Sequence, residues 1–416
     1  MALMKSWVVS ANSADSSFPL NNLPYGVYST GGDLRCGVAI GDMILDVTAA
    51  EVSGLIDMGG APLFEDPHWN ALMNAGRNVW VTFRSALTDI LVEGSGERAA
   101  AEALLTPIAD AQMHIPFKVA EYTDFYAGMQ HAKNMGAILR GSPDLPANWL
   151  HIPIGYNGRA SSVVVSGTPI RRPLGQTKAP EANMPSFGAS KRLDIELELG
   201  AIVGTGSTLG QPITVAQADD MIFGYVLLND WSARDIQGWE YQPLGPFQGK
   251  AFGTTISPWI VTAAALEPFR TATPPREKEL LPYLTEEKPG LFDVELSVLM
   301  QPEGAAKPTQ ITQTNYSRMY YSAAQQLCHH AVCGCAMTTG DLLGSGTISG
   351  PDKGEYGSLM EVSWAGSEPF TLDTGEIRTF IEDGDTLTLR GAAKGDGYTI
   401  GFGDCVGQIL PTVSSP

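Results

Sequence analysis

The chain of 416 residues exceeds one typical domain, and its 44% hydrophobic content supplies apolar side chains for more than one core. With 26 Lys and Arg against 45 Asp and Glu, the formal charge of -19 argues against nucleic acid or anionic membrane as partners and suits cation binding. The span from Met1 to Leu20 holds only the apolar run Trp7-Val8-Val9, too short for a signal-peptide core, and no later run approaches a membrane span. Five sparse cysteines (Cys36, Cys328, Cys333, Cys335, Cys405) fit reduced thiols, so a cytoplasmic protein is expected.

In chain order, Arg35–Ile40 and Met43–Val47 read as strands joined at Gly41-Asp42, a hairpin turn. Apolar residues at three- and four-residue spacing predict helices over Trp69–Val92 and Glu97–Leu105, interrupted by Gly94-Ser95-Gly96. This first unit closes after His114-Ile115-Pro116, which sets a boundary at residue 117. From residue 118 to 416, strand-like segments bounded by Gly and Pro dominate: Ser161–Ile170, Leu193–Val203, Met221–Asn229, Thr255–Thr262, Phe292–Met300, Leu359–Trp364 and Asp385–Arg390. Ser317–Val332 is the clearest helix there, and Leu174–Gly188 and Thr273–Gly290 read as surface loops.

Within Leu193–Gly200, Asp194, Glu196 and Glu198 alternate with Leu193, Ile195, Leu197 and Leu199, which predicts a strand with one apolar and one anionic face. Like charges at that spacing belong either to a solvated edge strand or to a hard-cation site. The apolar run Met221–Asn229 ends in Asp230-Trp231-Ser232-Ala233-Arg234-Asp235-Ile236-Gln237. Asp230 is thus either a carboxylate delivered to a pocket rim with Arg234 and Gln237, or a helix N-cap. If residues from Thr123 are helical, Asp124 and His131 share a face; His131 then reads either as a structural hydrogen-bonding group or as a base whose ring needs an orienting partner.

Other patterns fail on spacing. In Cys328-His329-His330-Ala331-Val332-Cys333-Gly334-Cys335 the two histidines diverge by about 100° on a helix and paired Cys-x-x-Cys units are missing, so the segment reads as core and helix end rather than a zinc site. Gly245-Pro246-Phe247-Gln248-Gly249-Lys250 is one residue short of a phosphate loop, with Ala251 where Ser or Thr belongs. Gly204–Gly210 misses the dinucleotide spacing, and no nucleophile elbow is present.

Several long strings carry a resemblance: Phe18–Val27, Tyr122–Tyr126, Gly158–Ser162, Asp230–Gln237, Pro243–Phe247, Phe252–Trp259, Ser345–Gly350 and Gly395–Tyr398. In combination they resemble the fumarylacetoacetate hydrolase family, and the N-terminal unit and the length favour its fumarylacetoacetase branch. The resemblance implies a mainly β fold with some α, built as a small SH3-like barrel with helices over residues 1–117 and a large mixed β-sandwich roll over residues 118–416, in a homodimer. It implies metal-dependent hydrolysis of a carbon-carbon bond in a small diketo acid, 4-fumarylacetoacetate, to fumarate and acetoacetate. Asp124, Glu196, Glu198 and Asp230 match a calcium site. A second cation, magnesium or sodium, would use Asp230, Thr254 and Lys250, the last through its main-chain carbonyl because an ammonium has no lone pair; this leaves the Lys250 side chain for substrate. His131 corresponds to the water-activating base, Glu361 to its orienting carboxylate, and Arg234, Gln237 and Lys250 to oxyanion donors. Tyr126, Arg140, Gln237, Tyr241 and Thr347 match substrate-contacting positions. Asn157 departs from the His common there. The alternatives are a related acylpyruvate hydrolase, decarboxylase or hydratase-isomerase, and a calcium-stabilised binding protein without turnover.

Overall fold

The computed structural model of the protein describes residues 2–413, and among them no helix is long and apolar enough to cross a membrane. The hairpin forms as its turn chemistry predicts, with Ile40 opposite Met43 across Gly41-Asp42. It is the centre of a five-stranded antiparallel sheet, extended on one side by Tyr25–Ser29 and Gln112–His114 and on the other by Leu105–Pro107. Helices Asn70–Asn74, Arg77–Leu91 and Arg98–Glu102 fall where the spacing predicts them, and Phe83, Leu87, Ile90 and Leu91 bury one face of the longest.

The following residues build two sheets. An eight-stranded sheet has Leu197–Val203 and Ile222–Asp230 at its centre, both buried at every position. A six-stranded sheet includes Glu295–Gln301, Thr386–Lys394 and Cys405–Leu410. Alternation decides which core each side chain enters. Leu197, Leu199, Ala201 and Val203 join Leu296, Val298, Leu387 and Leu389 in the core between the sheets. Tyr122, Ile202, Val226 and Leu228 point the other way, into the core of the N-terminal unit. The large sheet is therefore covered on both faces, which explains why its central strands are apolar runs. Over the described residues as a whole, sheet outweighs helix.

Three expectations need correction. Leu359–Trp364 is not a strand: Leu359–Val362 is a short helix, because Ser358 caps it by accepting the Glu361 N–H at 3.3 Å. Leu174–Thr177 and Ser186–Ala189 pair as a hairpin rather than forming an irregular loop. The helix expected from Ser317 begins at Ala323, after a 3-10 turn over Tyr316–Arg318.

Trp231, directly after the Asp230 strand, holds the two sheets together. Its Nε1 donates to Thr255 Oγ1 at 2.8 Å, and its ring lies so close to Gly407 of the six-stranded sheet that a Cβ there would sit 2.4 Å away. Trp231→Ala is expected to cost about 3 to 5 kcal/mol of stability, measured by denaturant unfolding; a loss below about 1 kcal/mol would show that the ring does not carry the inter-sheet contact.

Candidate active site

Register across the large sheet assembles the site. Asp124 in the strand Tyr122–Phe125 lies opposite Tyr156 on one side and Gly344 on the other, and Asp230 lies opposite Thr254. Asp124, Glu198 and Asp230 share the sheet face of Tyr122, Ile202 and Leu228, so one face is apolar under the N-terminal unit and acidic at its end. Glu196 joins them from the break between the strands Leu193–Asp194 and Leu197–Val203. Ligand oxygens of Asp124, Glu196, Glu198 and Asp230 lie within 4.8 Å of one another, and all four residues are buried.

Asp194 does not join this cluster. The strand breaks between Asp194 and Leu197, and the Asp194 carboxylate accepts from Arg234 Nε at 2.8 Å and from the Leu359 and Met360 N–H groups at 2.7 and 3.0 Å. The expected anionic face of three carboxylates is thus two carboxylates and a buried anchor. Asp124 and His131 also do not share a helix: Asp124 lies in a strand, and His131 belongs to the helix Met129–Arg140. Gly128 starts that helix where a Cβ would stand 2.3 Å from the Thr347 carbonyl oxygen.

Two cations neutralise part of the cluster. Lys250 Nζ pairs with Glu196 and lies 2.6 Å from Asp230 Oδ2, and Arg234 Nη2 lies 2.8 Å from Glu196 Oε1. The Lys250 side chain is therefore engaged by carboxylates rather than left free for substrate. Burial opposes ionisation of Glu196, but Lys250, Arg234 and His131 outweigh it and draw its carboxyl down to about 2. Burial also disfavours charge on Lys250, and Asp230 and Glu196 reverse that and hold it above the usual lysine range. Asp124 and Glu198 lack such partners: burial first, then Asp230 for one and Asp124 for the other, push both well above the carboxylate range.

Asp124 Oδ1 and Glu198 Oε1 are buried with no hydrogen-bond partner. A Cβ at Gly344 would stand 2.6 Å from Asp124 Oδ1 and 2.9 Å from Glu198 Oε2, so glycine keeps the space between them open. Unsatisfied buried oxygens around such a space, in an all-oxygen donor set, fit a hard cation.

Beside the acids stands a second pair. His131 Nδ1 is 2.7 Å from Glu361 Oε2, although 230 positions separate them, and Nε2 faces the cluster 3.9 Å from Glu196 Oε1. Glu361 also accepts from Asn134 Nδ2 at 2.8 Å, Ser349 Oγ at 3.0 Å and Ser358 Oγ at 2.8 Å. Burial works against its charge, but His131 and these donors hold its carboxyl below the usual range. An ionised Glu361 only accepts, so in the neutral imidazole of His131 the proton sits on Nδ1 and the Nε2 lone pair faces the site.

Of the expected substrate contacts, the Tyr126 ring packs edge-on to His131 at 5.5 Å. Burial, then the nearby Glu196 and Glu361, raise the Tyr126 pKa, while Arg140 and Arg234 counter them. Gln237 Oε1 is 3.4 Å from Arg234 Nη1, and Thr347 is buried between Gly128 and Gly357. Arg140 donates to the Asp144 carbonyl at 2.7 Å, and Tyr241 is 43% exposed just beyond the Arg234–Glu240 helix. Tyr156, which donates to Asp230 Oδ2 at 2.9 Å, and Asn134, Gly344, Ser349 and Ser358 belong to the site without having been anticipated. Only Ser358 carried a sequence signal, the Ser-x-x-Glu cap pattern.

The family model described as fumarylacetoacetase N-terminal matches residues 21–116, and that for the fumarylacetoacetate (FAA) hydrolase C-terminal part matches residues 121–410. The chain is 47% identical over 409 residues to a fumarylacetoacetase of Rattus norvegicus, covering 96% of this chain and 98% of the relative. It is 47% identical over 422 residues to one of Arabidopsis thaliana, covering 99% of this chain and 100% of the relative. A solved fumarylacetoacetate hydrolase structure from psychrophilic Exiguobacterium antarcticum shares the fold with a TM-score of 0.53 at 17% identity, over 94% of this chain and 99% of that one. The chain belongs to the fumarylacetoacetate hydrolase family.

Gly344→Ala places a methyl group against two of the four carboxylates and is expected to weaken divalent-cation binding by at least about tenfold in calorimetric titration. Unchanged affinity would separate Gly344 from the cation site.

Proposed function

We propose that the chain hydrolyses 4-fumarylacetoacetate to fumarate and acetoacetate, the last step of tyrosine and phenylalanine catabolism, as a cytoplasmic homodimer. Asp124, Glu196, Glu198 and Asp230 would hold calcium, and Asp230, Thr254 and the Lys250 main-chain carbonyl would hold magnesium or sodium. When bound, calcium supplies Lewis-acid polarisation and a template for the two diketone oxygens. The observation that carries the reading is the buried His131–Glu361 pair at 2.7 Å, with the free imidazole nitrogen turned toward the acidic cluster. A calcium-stabilised protein without turnover has no use for that arrangement.

His131 Nε2 takes a proton from water as the water oxygen bonds to the attacked carbonyl carbon, a contribution of about 10² to 10⁴-fold. Glu361 fixes the tautomer and balances the imidazolium that forms. Arg234 Nη2 is buried 2.8 Å from Glu196 Oε1 and carries two N–H bonds, so one can face Glu196 while the other donates to the developing oxyanion. Gln237 steadies the same guanidinium, and Lys250 adds positive charge beside it. When the tetrahedral adduct collapses, the carbon-carbon bond breaks and its electron pair passes to the acetoacetate fragment, whose own ketone spreads the charge. His131 returns the proton to that carbon. Tyr126, Arg140, Tyr241 and Thr347 are the substrate-positioning residues of this scheme.

The deciding experiment follows fumarylacetoacetate absorbance with and without chelator and assays the products. Cleavage to fumarate that stops on chelation is expected; release of pyruvate from an acylpyruvate instead, or no turnover, would overturn the proposal. His131→Ala should lose about 10² to 10⁴-fold in kcat while its calcium titration stays as in wild type. Wild-type rates in that variant would remove His131 from the chemistry.

A further inference from the structure

Asp194 is as buried as any residue of the site, with no exposed surface, yet the cation cluster does not use it. Its carboxylate serves two parts of the catalytic machinery at once. Oδ2 accepts from Arg234 Nε at 2.8 Å and from the Met360 N–H at 3.0 Å; Oδ1 accepts from the Leu359 N–H at 2.7 Å and from its neighbour Ile195 at 2.8 Å. Leu359 and Met360 are the first residues of the short helix whose third residue is Glu361.

We propose that Asp194 is a positioning residue that sets the oxyanion donor and the base-orienting carboxylate in one frame; this rests on the functional reading above. The geometry on each side supports it. Holding Nε of Arg234 fixes the plane of the guanidinium and turns Nη2 to Glu196, 2.8 Å away, and to the reaction site. Accepting from Leu359 and Met360 satisfies two otherwise orphaned helix N–H groups of a helix too short to hold its own position. Glu361 is thereby carried to within reach of His131. One carboxylate then links two catalytic groups that do not touch each other, and the Asp194 charge is matched by Arg234, with 4% of the arginine side chain and none of the aspartate side chain exposed.

Asp194→Asn keeps the volume but removes the charge and turns one acceptor into a donor facing N–H groups. It is expected to lower kcat by about 100-fold, as for loss of an oriented oxyanion donor, with KM within about threefold. If Asp194 acts in part through Arg234, the same change in an Arg234→Gln background should cost at least about threefold less than in wild type. Amide hydrogen exchange at Leu359 and Met360 should quicken by at least about tenfold without a matching change elsewhere. Full kcat in D194N, an equal loss in both backgrounds, or unchanged exchange at these two amides would overturn the proposal. Should D194N not fold, the measurements move to Asp194→Ser, which keeps an acceptor but ends the contact with Arg234; failure of both to fold would make Asp194 a stability residue and overturn it. A wild-type chain that leaves fumarylacetoacetate intact overturns the functional reading as well, whereas an active wild type with any of the adverse results above overturns this proposal alone.

Discussion

The structure is organised around an electrostatic conflict: four carboxylates share one buried space with only two cationic side chains beside them. Uncompensated charge in such a place is costly by several kcal/mol per ion. The protein divides the problem. Glu196 is paired with Lys250 and Arg234 and stays ionised, while Asp124 and Glu198 keep oxygens that none of the described residues satisfies. A metal cation would answer the part that the side chains leave open, and the chemistry proposed for the site depends on that division.

The fold supplies this space by register rather than by a loop. Strands of the large sheet, with the Gly344 strand between those of Asp124 and Glu198, deliver Asp124, Glu198 and Asp230 to one face, while the same strands are anchored farther along by Tyr122, Ile202 and Leu228 in the core of the N-terminal unit. A one-residue slip in any of these strands would exchange a carboxylate for an apolar side chain. The N-terminal unit thus contributes no carboxylate to the cluster but helps hold the sheet that forms it. The His131 helix and the short Glu361 helix then close on the cluster from separate parts of the sequence, tied by hydrogen bonds to a common acceptor, Glu361.

Much of this was legible in the residues. The period-two alternation around Glu196 and Glu198 pointed to two members of the acidic cluster, the apolar run before Asp230 placed a third at a strand end, and the Gly41-Asp42 hairpin formed as read. Alternation misled at Asp194 because period two reports which face a side chain takes, and not where the strand stops; the groups that claim Asp194 lie at Arg234, Leu359 and Met360, far off in sequence. Leu359–Trp364 looked like a strand because its apolar residues are as frequent as in one, yet Ser358 and Glu361 held the helix signal. The contact of His131 with Glu361 had no local trace, and only the family resemblance pointed to it. Tyr156 and Gly344 depend on cross-strand pairing with Asp124, which no single segment encodes.

The most direct measurement of the central claim is a crystal of the calcium-loaded protein, with calcium located by its anomalous scattering. The account predicts one peak with carboxylate oxygens of Asp124, Glu196, Glu198 and Asp230 at roughly 2.3 to 2.6 Å. No peak there, or a calcium ion bound away from the unsatisfied oxygens of Asp124 and Glu198, would contradict it.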